Sequence, residues 1–115
     1  MFQKVIQWHN KQFAYFLNKL RSYKENGTSL LDNVMLTYGS GMGDGHKHAT
    51  TGVPIIVAGK GGGLNPGRLL SSASKKGSIP IPLSEIHLTT AHKMGISLEE
   101  LKPFIQGKIK LISNL

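Results

Sequence analysis

The chain contains no cysteine, which excludes disulfides and thiolate metal sites and leaves histidine and carboxylate as the strong ligands at hand. Acidic residues are scarce: six Asp and Glu stand against fourteen Lys and Arg, a net charge of +8 at neutral pH. The surplus sets up a positive field that favours an anionic small molecule or a polyanion such as a glycan sulfate. Long apolar runs are missing too. Nothing approaches the ~20 apolar residues that cross a bilayer, and the opening residues alternate polar with apolar, so neither a spanning segment nor a signal-peptide core is expected, and no membrane partner. The cations are scattered, with Lys75-Lys76 the one adjacent pair. No nucleic-acid motif forms around them, and nucleic acid is disfavoured as a partner.

What is present is enough for one domain. A chain of 115 residues can bury ~65% of the surface its unfolded form exposes, and no internal repeat divides it, so residues 1–115 are expected to form a single domain. On a helical wheel, Phe2, Val5, Ile6, Phe13, Phe16, Leu17 and Leu20 share one arc, with Lys4, Gln7, Lys11, Ala14 and Asn18 on the other side. That periodicity predicts a helix over Phe2 to Tyr23, stopped by Lys24 and Asn26-Gly27. His9 sits on the apolar arc, either as a core histidine or turned toward a site.

Val34 to Tyr38 and Pro54 to Ala58 are short apolar runs bounded by turn residues, which predicts strands. The second has no polar residue and reads as buried on both faces, as in a parallel sheet. Between them, Gly39 to Gly52 is a long loop with glycine at 39, 41, 43 and 45, and loops of that length without structure of their own tend to be functional or disordered. Arg68 to Gly77 is Ser- and Lys-rich and reads as an exposed segment. Pro80 and Pro82 precede a second amphipathic helix from about Leu83 to Met94, with Leu83, Ile86, Ala91 and Met94 inward. Ser97 and Glu100 fit a capping box for a short third helix ending near Pro103. Lys108 to Leu111 alternates like an edge strand protected by lysines. Helix, strand, loop, strand, helix is an α/β order: a small, mostly parallel sheet flanked by helices. A piece of such a sheet would leave an unpaired edge, through which a homodimer could form.

The chemistry concentrates in the long loop and the glycine run after the second strand. Asp44, His46 and His48 alternate, and in extended backbone that spacing points all three to one side. A carboxylate with two imidazoles suits a divalent metal such as Zn²⁺; the alternative is a solvated Gly/His loop. Gly59-Lys60-Gly61-Gly62-Gly63 matches neither nucleotide fingerprint, because Gly61 follows Lys60 where the Walker pattern needs Ser or Thr, and Leu64 stands where the dinucleotide pattern needs glycine. Lys60, Gly61 and Gly62 remain candidates for a backbone anion nest, against a pair of flexible turns. Ser40 has Tyr38 and Met42 at the two positions where a nucleophile elbow carries glycine. His87 and His92, five apart on a helix, cannot share one ligand face.

Leu30-Leu31-Asp32-Asn33, the segment from Gly39 to Gly45, His48, Val53-Pro54, the run from Ala58 to Gly62 and Pro82-Leu83 together resemble the C-terminal part of the DUF1552 family. These are uncharacterised bacterial proteins, often exported, and similar in turn to the alkaline phosphatase and sulfatase superfamily. The resemblance spans roughly Trp8 to Gly95. It implies an alkaline-phosphatase-like α/β/α domain of which this chain is the last third, an exported bacterial location, and His48 as a metal ligand ahead of a Pro-led strand. The superfamily's Asp-His ligand pair is replaced here by Gly39-Ser40-Gly41, and its nucleophile lies in a preceding half. The implied function is a His-containing loop contributed to a metal-dependent phosphate or sulfate ester hydrolase-like domain, with His48, then Asp44 and His46, as ligands and Lys60 as charge neutraliser. The alternative is a non-catalytic polyanion-binding or scaffold module.

Overall fold

The computed structural model describes residues 2–69, 81–107, 110–113 and 115. The first amphipathic run forms helix α1, Phe2–Ser22, its end closed by the Ser22 hydroxyl donating to the Lys19 carbonyl at 2.7 Å. Beyond it, Lys24–Glu25 (β1) and Thr28–Ser29 (β2) make a miniature antiparallel hairpin. Asn26 and Gly27 turn the corner with φ of 50° and 83°, the two positive values that a two-residue turn between right-twisted strands demands. Ser29 then caps a single turn of helix, α2 (Leu30–Asn33), by accepting from the Leu31 N–H.

Strands β3 (Met35–Gly39) and β4 (Ile55–Gly59) pair in register from Met35↔Gly59 to Gly39↔Ile55, and they run antiparallel. This corrects the expected fold class: the two sheets present are two-stranded and antiparallel, no parallel pair exists among the described residues, and the mostly parallel, alkaline-phosphatase-like sheet does not form. The reason lies in the link. A parallel return needs a crossover, usually a helix, whereas residues 40–54 hold no helix and fold back on themselves through the Asp44↔Ala49 bridge. A two-stranded sheet also cannot bury β4 on both faces, and Ile56 is 48% exposed.

The two faces of this hairpin have different coverings. Tyr38 lies under α1, its ring stacked on Phe13 with centroids 4.4 Å apart and its hydroxyl donating to Asn10 Oδ1 at 3.2 Å. Side chains alternate along a strand, so Val57 and Ile55 point the other way, toward helix α3, Leu83–Lys93. That helix ends at Gly95 (φ 99°), with the Gly95 N–H on the His92 carbonyl and the Ile96 N–H on the Ala91 carbonyl, a Schellman closure. Ile86 and Ala91 are half-buried as their spacing predicts, but Leu83 and Met94 are exposed. The Ser97/Glu100 capping box forms and opens helix α4, Leu98–Leu101, which continues as one tighter turn through Phe104. Thr89 Oγ1 donates to the Glu85 carbonyl and accepts from the Ile112 N–H, stitching the C-terminal segment to α3.

Of the expected edge strand, Lys110 and Leu111 belong to no strand, while Lys108 and Ile109 lie outside the described residues. In the Ser- and Lys-rich segment Arg68 and Leu69 are exposed; residues 70–77, and Pro80 after them, lie outside the described residues. The apolar core is small. Leu64, Leu101 and Leu115 are its buried members, and no large side chain is fully enclosed among the described residues. The chain exposes 9059 Å², nearly half as much again as the ~6,200 Å² of a compact 12.5 kDa monomer. Its radius of gyration, 16.0 Å, exceeds the ~13 Å of a compact domain of this length.

Candidate functional site

The glycine run after β4 is a packing device. Gly59 takes φ 101°, and a Cβ there would collide with the Val34 carbonyl. This close approach lets the Lys60 N–H donate to the Leu31 carbonyl at 3.2 Å and the Gly61 N–H to the Val34 carbonyl at 2.9 Å. The Lys60 ammonium sits 2.9 Å from Asp32 Oδ1. Of the candidate anion nest, two backbone donors and the cation are thus engaged within the chain, and Gly62 packs on the Lys93 carbonyl at the end of α3. Lys60 pulls the Asp32 carboxyl below the ordinary carboxylate range, with the Ser29 N–H adding to the effect.

The loop from Gly39 to Gly52 is closed at its tip by two backbone hydrogen bonds, Gly43 N–H to the Ala49 carbonyl at 2.9 Å and Ala49 N–H to the Asp44 carbonyl at 3.0 Å. Asp44 Oδ1 accepts from the His46 and Lys47 N–H groups at 3.0 and 3.3 Å, an Asx turn that folds the tip. His48 adopts φ 51°, so the tip is not extended and the alternate spacing does not place all three side chains on one side. Asp44, His46 and His48 are exposed. Their chemistry suits a divalent metal in kind, a carboxylate and two imidazoles, but not in number. Among the described residues no three His, Asp or Glu side chains gather where an ion could be held, and a Zn²⁺ site takes three or four ligands. His9, His87 and His92 are also exposed, with His92 Nδ1 3.0 Å from the Ile96 carbonyl oxygen.

The shoulders of the same loop border a cleft of about 700 Å³ between the hairpin and α3. Its walls are apolar, built by Ile55, Val57, Leu64, Ile81, Leu83 and Ile86. Ser40, Thr50, Thr51 and Asn65 supply polar groups, and Arg68 is the one charged side chain lining it among the described residues. The guanidinium is held by two hydrogen bonds from Nε and Nη2 to the Asn65 carbonyl, at 3.2 and 3.0 Å, across the Asn65-Pro66-Gly67 turn. Gly67 makes that turn with φ 84°. Among the described residues lining it there is no Asp, Glu, His, Lys or Tyr, so what these residues offer is a cation and hydroxyl groups. Reading the sequence directs attention to Lys60 and misses Arg68. The available signal was the Asn-Pro-Gly turn, which brings the fourth residue back over the first carbonyl.

No protein-family model matches the chain, and neither a curated protein nor a solved structure matches it.

Proposed function

We propose that this chain is an anion-binding segment of a larger assembly and not a catalyst on its own, and that the anion is the phosphate or sulfate group of an ester. The observation that carries this reading is the cleft, with apolar walls for the body of the ester, hydroxyl groups at Ser40, Thr50 and Thr51, and the Arg68 guanidinium held in place. With Nε and one Nη2 N–H on the Asn65 carbonyl, the guanidinium keeps its outer Nη1 and Nη2 N–H groups to donate to a tetrahedral oxyanion. Hydrolysis needs a nucleophile and a base placed against the ester, and these come from a second polypeptide that also covers the surface this chain leaves open. In this reading the loop tip offers Asp44, His46 and His48 as part of a metal-ligand set completed elsewhere.

Calorimetric titration of phenyl phosphate and phenyl sulfate into the chain tests the proposal. Replacing Arg68 with Ala should weaken binding roughly tenfold or more, the worth of a hydrogen bond to a charged group, while the chain alone hydrolyses neither ester. Binding unchanged in the variant would refute it.

A further inference from the structure

We propose that the cleft takes a single-chain aliphatic ester, an alkyl phosphate or alkyl sulfate, with its anionic head at Arg68 and its chain along the wall between β4 and α3. This rests on the reading above that the cleft binds an ester anion, and adds what the rest of the ester is. The polar and apolar parts of the lining differ in depth. Ser40, Thr50, Thr51, Asn65 and Arg68 are all exposed. Ile55, Val57, Ile86 and Ile112 are half-buried, and Leu64 and Leu115 are buried. A cation and hydroxyl groups in contact with water, grading into covered aliphatic side chains, match a molecule that is charged at one end and apolar along the rest. The deeper part is held by the chain itself. Thr89 Oγ1 accepts from the Ile112 N–H at 2.9 Å, and the Leu115 N–H donates to the Ile112 carbonyl at 3.4 Å.

The kind of side chain selects an alkyl body. Among the described residues that line the cleft none is aromatic, and the residues outside the description, 1, 70–80, 108, 109 and 114, include no Phe, Tyr or Trp either. Aryl groups and nucleobases gain from stacking on such rings, a contact this wall does not offer. Sugar hydroxyls laid against valine, isoleucine and leucine would leave water without gaining a hydrogen bond. A methylene chain has no polar group to satisfy and gains from each apolar atom it covers. There is room for it. A methylene fills about as much space as a water molecule, about 30 Å³, so the cleft of about 700 Å³ admits a head group and a chain of roughly eight carbons.

Calorimetric titration of methyl, butyl, hexyl and octyl phosphate, each below its micelle-forming concentration, tests the proposal beside phenyl phosphate. Affinity should rise about two- to fourfold per methylene, as expected for CH₂ groups entering a cleft open on one side, and hexyl phosphate should bind more tightly than phenyl phosphate at equal carbon count. Val57→Thr places a hydroxyl on the wall and should lower the octyl-to-methyl affinity ratio about fivefold or more. Leu83→Ser repeats the test at a lining residue that is 44% exposed and so contributes little to folding. A flat series from methyl to octyl, with phenyl phosphate still bound and lost in Arg68→Ala, overturns this proposal and leaves the ester-anion reading standing. No binding of any ester removes both. A chain-length gain untouched by either wall variant places the chain elsewhere and overturns the proposal. Retention on phosphatidic acid vesicles without binding of the soluble esters would assign the cleft to a bilayer surface and overturn it equally.

Discussion

Lys60 Nζ lies 2.9 Å from Asp32 Oδ1, joining the end of β4 to the short helix α2 across the point where Gly59 and Gly61 let two backbone segments touch. The candidate anion ligand of the glycine run is therefore a structural cation. Replacing Lys60 with Met, which keeps the stem and removes the charge, should leave phenyl phosphate affinity unchanged. If affinity fell as far as with Arg68→Ala, the assignment of the anion site to the cleft would fail.

The pair has a pH signature. Asp32 is depressed chiefly by the hydrogen bond from Lys60, and Glu100 by the Ser97 hydroxyl and then its backbone N–H. A carboxyl whose folded value lies below its unfolded one contributes stability above the unfolded value and loses it as pH falls through the folded value. Thermal midpoints should hold steady above about pH 5 and drop below about pH 4, less steeply in Asp32→Asn and Glu100→Gln than in the parent chain. Parallel slopes in all three would contradict the assigned causes.

Glycines of one loop system should differ sharply in tolerance. Gly59→Ala places a methyl group against the Val34 carbonyl at φ 101°, and should cost about 1–3 kcal/mol in urea unfolding. Gly45→Ala meets open space and should stay within about 0.5 kcal/mol. Equal effects would mean that the close approach of β4 to Val34 is not what the glycine run provides.

Ser97→Ala removes the acceptor for the Glu100 N–H and the hydroxyl that binds the Glu100 carboxylate. The expected cost is about 0.5–2 kcal/mol, read as a lower thermal midpoint with loss of amide protection confined to α4.

How far the sequence could be read follows from which interactions are local. Helix α1 ends at Ser22, one residue from where its periodicity stops, because the apolar repeat and the Asn26-Gly27 signal are properties of neighbours. The capping box at Ser97 is local in the same sense. The Asn-Gly pair carried a second meaning, the tightest hairpin turn, which was masked by its use as a helix stop. Strand β4 misled because Ile55-Ile56-Val57 reads alike in a central parallel strand and in one half of an exposed hairpin; periodicity does not say what covers a face. The absent crossover helix between Gly39 and Pro54 was the better guide. Lys60 and Asp32 are far apart in the chain, and no pattern around Lys60 names its partner. Phe2 and Ile6 belong to a correctly placed helix yet stay exposed, because an apolar repeat marks a face without saying what packs on it.

The central claim is that the chain's own contribution is to hold an ester anion at Arg68. Amide and side-chain chemical shifts recorded during titration with phenyl phosphate test it most directly. Saturable changes confined to Arg68, Thr50, Thr51 and Ser40, abolished in Arg68→Ala, are the predicted result. Shifts spread over the lysines in proportion to charge, or centred on Lys60, would contradict it.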